Sequence, residues 1–84
     1  MSADKIDLDP IESTILSIIG KKRKILEQIT FELNQARVAI ELDPLSREEV
    51  RKKLQGLVSK GLLKEIKIQD ATYWETTKLA DEYT

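Results

Sequence analysis

At Gly61 the apolar period of the chain changes from about 3.6 residues to two. Before it, Val50, Leu54, Leu57 and Val58 recur at helical spacing; after it, Leu62, Ile66 and Ile68 alternate with polar residues in "LLKEIKIQ". Gly61 is suited to the junction because glycine adopts the left-handed helix-ending conformation without a steric penalty. A chain that passes from helix to strand at one glycine must lay its strands back over the helices to find a core. The partner strand is "TYWETT", reached through Gln69-Asp70-Ala71, so the segment 62–76 is expected to form a β-hairpin. Ile66, Ile68 and Trp74 are expected to close over the helices.

The helix before Gly61 has a clear start. Ser46 is placed to cap it, with Glu49 at the capping-box position, and Asp43-Pro44 breaks whatever precedes it. At 100° per residue, Glu48, Lys52, Gln55 and Ser59 point directly away from the apolar stripe. Arg47 and Arg51 fall on one shoulder; Lys53 and Lys60 fall on the other.

Two further helices are expected upstream. Asp9-Pro10-Ile11-Glu12 reads as a cap, a first-turn proline and a capping-box glutamate. Ile11, Ile15, Leu16, Ile18 and Ile19 follow at helical spacing, and Gly20 ends the run. Ile25, Leu26, Ile29, Leu33, Ala36 and Ile40 form the stripe of a second helix, from about Arg23 to about Leu42. Thr77 is positioned to cap a last short helix over "KLADEY". The expected core is Ile15, Ile19, Ile29, Leu33, Val50, Leu54 and Leu57. Residues 1–8 have no periodic pattern and read as a loose segment before a single domain over 9–84.

The 84 residues allow one modest core. Neither cysteine nor histidine is present, which removes disulfides, thiolate metal sites and the commonest general base. No nucleophile–base pair or phosphate-cradling glycine loop occurs, so no enzyme and no cofactor is expected. Asp4, Asp7 and Asp9 lack the glycine and distal glutamate of a calcium loop. No apolar run is long enough to cross a bilayer, and "MSADKIDLDP" lacks the apolar stretch of a signal peptide. A cytoplasmic protein is therefore expected.

The net charge is only −1, yet it is strongly blocked. "KKRK" at 21–24 is wholly basic. Residues 46–67 carry Arg47, Arg51, Lys52, Lys53, Lys60, Lys64 and Lys67 against Glu48, Glu49 and Glu65. Acidic stretches lie on either side of each block. A basic block on an acidic chain is the electrostatic footprint of a polyanion partner, or else a solvated surface.

Three helices, then "KGLL" at 60–63, then a hairpin ending in "YWETT" at 73–77, resemble the winged helix-turn-helix domain. Within that fold the stretch from Ser46 is similar to the recognition helix and wing of MarR-like archaeal and bacterial transcriptional regulators. The resemblance spans Ile11 to about Leu79. Two features depart from it: the segment between Gly20 and Ser46 is long, and Thr76 stands where leucine is common. The resemblance implies an α+β fold, mostly α, of three helices, a two-stranded wing and a short C-terminal helix. It implies binding of double-stranded DNA by a homodimer acting as a transcriptional regulator. The alternative on the same fold is a protein–protein interaction module.

On that reading, Arg47, Lys52 and Gln55 are the base-contact candidates, since arginine and lysine suit guanine and glutamine suits adenine. Arg51, Lys53, Lys60, Lys64 and Lys67 are candidates for phosphate, as are Lys21, Lys22 and Arg23 with their neighbour Lys24. Glu48, in the middle of the outward face, opposes phosphate. Trp74 is expected in the core and Tyr73 at its edge.

Overall fold

The computed structural model describes residues 6–83. Helix α1 (Pro10–Ile19) begins with the capping box expected of it: the Asp9 carboxylate accepts from the Glu12 N–H at 2.7 Å, and the Glu12 carboxylate accepts from the Asp9 N–H at 3.0 Å. Strand β1 (Lys24–Ile25) and helix α2 (Leu26–Ala39) come next. Helix α3 (Arg47–Ser59) starts from Ser46 and Glu49 in a second capping box. Strands β2 (Leu63–Ile68) and β3 (Ala71–Thr76) form the hairpin, and a 3₁₀ turn over Leu79–Glu82 ends the described chain.

Helix α2 starts at Leu26 rather than near Arg23, because Lys24 and Ile25 are drawn into the sheet. They pair antiparallel with β3, Lys24 opposite Trp74 and Ile25 opposite Tyr73. The sheet thus has three strands in the order β1-β3-β2 instead of two. Removing the lysines from the helix start also spares them an unfavourable place at the positive end of the helix dipole. At its other end α2 stops at Ala39. The N–H of Leu42 returns to the Arg37 carbonyl and that of Glu41 to the Val38 carbonyl, with Glu41 left-handed at φ 64. The Asn34 side chain then exchanges two hydrogen bonds of 2.8 Å with the Leu45 backbone. This pins the turn that leads into α3.

All seven residues expected in the core are buried, joined by Leu16, Leu26, Leu62, Leu63 and Trp74. Each such aliphatic side chain contributes about 1.5–3 kcal/mol by leaving water. The hairpin covers this core through one face only. Leu63 and Trp74 lie on the core face. Ile66 pairs with Tyr73, and Ile68 with Ala71, on the other face. Ile66 is therefore only half-buried and Ile68 is exposed, contrary to the expectation that both close over the helices. The alternation counted from Leu62 misled, since Leu62 precedes the strand and Leu63 sets its inward register.

Two junctions also differ from expectation. The Thr77 hydroxyl donates to the Gly61 carbonyl at 2.6 Å rather than capping a helix, and the Thr77 N–H donates to the Leu62 carbonyl. These bonds tie the end of the hairpin to its beginning. Residues 6–8 have no regular structure, yet Ile6 and Leu8 pack against the core and the Ile6 N–H donates to the Tyr83 hydroxyl at 2.9 Å. Residues 1–5, part of the segment read as loose, lie outside the described residues.

Candidate nucleic-acid interface

Helix α3 presents three rows of polar side chains, and each row meets a different environment. Arg47, Arg51 and Gln55 are spaced four residues apart, so they share one side of the helix. That side forms one wall of a groove of about 550 Å³ whose other wall is the hairpin, including Glu65, Lys67, Asp70 and Thr72. Ile25, Leu26 and Trp74 line it too. The outermost row is Glu48, Lys52, Gln55 and Ser59, all exposed. The third row, Lys53 and Lys60 with Gly56 between them, faces α1.

In this third row Lys53 and Lys60, phosphate candidates by sequence, are both engaged by carboxylates of the protein itself. The Lys53 ammonium donates to the Asp9 carboxylate at 2.5 Å. The Lys60 ammonium donates to both oxygens of the Glu12 carboxylate, at 2.8 and 3.0 Å, and to the Asp7 carbonyl at 2.9 Å. Glu12 is 6% exposed, and burying a carboxylate is costly unless a cation meets it. Lys60 is that cation. A Cβ at Gly56 would stand 3.6 Å from the Glu12 carboxylate, so the bare helix backbone leaves room for this pair. Burial pushes the Asp9 carboxyl up, but the Lys53 ammonium and the Glu12 N–H outweigh it and hold the group below its ordinary value.

The remaining candidates divide in the same way. Arg47 lies at the groove but donates to Glu27 of α2 at 2.5 Å. In the run 21–24, Lys24 is engaged by both oxygens of Glu32 at 3.0 and 3.1 Å. Lys24 is the leading cause holding the Glu32 carboxyl below its usual value. Arg23 meets Glu75 at 3.5 Å. Lys64 sits opposite Glu75 on β2, so Arg23, Glu75 and Lys64 make one row across the outer face of the sheet. Lys64 and Lys67 are an odd number of residues apart and so fall on opposite faces of the strand; only Lys67 lines the groove. Lys21 and Lys22 are exposed in the turn before β1, at the hairpin's base and outside the groove. Arg51, Lys52, Lys64 and Lys67, with Lys21 and Lys22, are exposed and make no ion pair among the described residues.

The groove was the feature sequence reading missed. Ile25 of β1 and Leu26 at the start of α2 help line it, and a two-residue strand leaves little trace in a sequence. Trp74, at 6% exposure, is core, and Tyr73 is half-buried at the sheet's outer face, as expected. No group of three acidic side chains suited to a metal occurs among the described residues. None of the described helices is long and apolar enough to cross a membrane.

Three helices, a pinned turn before the third and a hairpin returning from it define a winged helix-turn-helix fold, mostly α with a small antiparallel sheet. Several solved structures share this fold. RosR of H. salinarum superposes with a TM-score of 0.81 at 20% identity, over 94% of this chain and 69% of that one. The adhesin competence repressor AdcR of Streptococcus pyogenes matches at 0.74 and 24% identity, over 92% of this chain and 52% of AdcR. ZitR of Lactococcus lactis, solved as a cysteine-to-serine mutant in complex with DNA, matches at 0.74 and 19% identity, over 99% of this chain and 52% of ZitR. This chain spans 64% of the RosR chain in the hsRosR-S4 complex. At these identities the likeness is one of fold. No protein-family model and no curated protein sequence matches the chain.

Proposed function

We propose that this chain is a DNA-binding transcriptional regulator that acts as a cytoplasmic homodimer and performs no catalysis. The observation that carries the reading is the division of α3. Its α1-facing cations are consumed by the fold, while Arg51 and Lys52, with Lys67 across the groove, remain exposed on the side where the fold presents its helix and wing. A major groove is wide enough to admit that helix. Lys52, Gln55 and Arg47 are the base-contact residues of this proposal, Arg47 after release from Glu27. Arg51 and Lys67 serve phosphate, and Lys21, Lys22 and Lys64 are outer phosphate contacts reached only by a longer duplex. ZitR, of the same fold, is solved with DNA, which supports the assignment.

The groove also carries Glu27, Glu65 and Asp70, so few phosphates are neutralised at once. Fluorescence titration with duplex DNA at several salt concentrations tests the reading. The expected log–log slope is about −2 to −4, from about −0.9 per phosphate. Binding that is absent at low ionic strength contradicts it.

Apolar side chains left in water support the dimer. Phe31, Val38, Ile40 and Leu42 are all exposed on α2 and the turn after it, and Ile40 and Leu42 line an apolar patch with Pro10, Ile11 and Leu33, of the kind that marks protein contacts. Light scattering at high micromolar concentration is expected to report twice the monomer mass. The same patch supports the alternative reading, a protein-interaction module, which takes over if DNA binding is absent.

A further inference from the structure

Glu48 is the anomaly of the outward row. It lies one turn before Lys52 in the middle of the surface proposed to meet a polyanion, where a carboxylate repels phosphate. The neighbouring acids have structural partners: Glu27 holds Arg47, Glu49 accepts from the Ser46 N–H at 2.9 Å, and Glu12 meets Lys60. Glu48 is exposed and takes part in no ion pair or side-chain hydrogen bond among the described residues. A carboxylate in the first turn suits the helix dipole, but Glu49 already supplies one there. The dipole is also indifferent to which way the side chain points.

The chemistry of base edges gives the outward direction a use. An ionised carboxylate only accepts hydrogen bonds. In the major groove cytosine offers the N4 amine donor with no acceptor beside it, whereas adenine places the N7 acceptor next to its N6 amine and guanine shows acceptors alone. Cytosine is thus the base whose edge a carboxylate fits best. Lys52 lies about 6 Å further along the helix axis, from a rise of about 1.5 Å per residue. That is within reach of a neighbouring base pair, where its ammonium suits guanine O6 and N7.

We propose that Glu48 is a specificity-determining residue that accepts a hydrogen bond from the N4 amine of a cytosine in the bound duplex, with Lys52 on an adjacent guanine. The inference rests on α3 being the recognition helix. Glu48 costs affinity for DNA in general and returns it at one kind of base pair.

The experiment selects duplexes from a random pool with wild type, Glu48→Ala and Glu48→Gln, then titrates each protein against the wild-type site, a variant site with the one C·G pair changed to A·T, and mixed-sequence duplex. Wild type is expected to prefer the C·G site about tenfold or more. Glu48→Ala should bind mixed duplex at least as tightly as wild type and lose that preference. Glu48→Gln should shift it toward A·T, since glutamine pairs with adenine N6 and N7. If Glu48→Ala keeps the wild-type preference while tightening on every duplex, Glu48 is only a solvated acid and the inference is overturned alone. If wild type binds no duplex in a salt-dependent way, the recognition-helix reading falls and takes this inference with it.

Discussion

The two flanks of helix α3 carry the same residue types and different duties. On the α1 side, Lys53 and Lys60 are engaged by Asp9 and Glu12, with about a third of each lysine side chain exposed. On the wing side and the outward row, Arg51 and Lys52 stay exposed without an ion pair among the described residues, with Lys67 facing them across the groove. For Lys60 the difference is one of burial. A buried carboxylate, Glu12, demands a cation and fixes it, whereas an open groove leaves cations available to a ligand. Counting basic residues along the helix merges the two populations; only packing separates them.

The largest effect that tests this contrast is on stability. Lys60→Met removes the partner of a carboxylate that is nearly fully buried. A fully buried pair so broken costs about 3–5 kcal/mol; with Lys60 partly exposed, about 1–3 kcal/mol is expected. Denaturant titration of Lys60→Met beside Lys52→Met measures it. Lys52→Met should change stability by less than about 0.5 kcal/mol, and equal losses in the two variants would erase the distinction between the flanks.

Next in size is the junction between helix and wing. Gly61 sits at φ 80, where a side chain is strained by about 1–2 kcal/mol. Thermal melting of Gly61→Ala should show a loss of that order. An unchanged midpoint would mean that the helix end does not set the hairpin's position.

The acid dependence follows from the carboxylates held below their ordinary values. Asp9, Glu32 and Glu49 are all lowered; for Glu49 the leading cause is the Ser46 N–H it accepts from. A depressed carboxyl contributes stability above its unfolded pKa, near 3.8 for aspartate and 4.5 for glutamate, and that contribution is lost as pH falls through the lower folded values. Denaturant midpoints should therefore drop below about pH 4, and the Asp9→Asn variant should show a smaller drop. A midpoint that rises on acidification would contradict the ion pairs on the α1 flank.

Much of this was legible in the residues. Both capping boxes, the Gly61 stop, the seven core positions and the burial of Trp74 follow from local rules of spacing and hydrogen bonding. What sequence could not give depends on contacts between distant segments. Lys24 and Ile25 look like the start of a helix because their strand character comes only from pairing with Tyr73 and Trp74. The register of β2 turned on whether Leu62 or Leu63 is first in the strand, a one-residue shift that exchanges the faces. The 100° steps correctly put Lys53 and Lys60 on one shoulder of α3, but nothing local says that α1 and its carboxylates lie against it. Glu41, at φ 64 without a glycine's freedom, gave no signal at all; the turn there is held by Asn34.

The smallest free-energy change is the most direct measure of the claim that one flank serves the fold and the other serves DNA. Salt titrations of duplex binding should be run in parallel for wild type, Arg51→Ala and Lys53→Ala, with melting curves confirming that each variant is folded. Arg51→Ala is expected to flatten the log–log slope by about 0.9, the loss of one phosphate contact, while Lys53→Ala keeps the wild-type slope. A flattened slope in Lys53→Ala with an unchanged slope in Arg51→Ala would contradict the account.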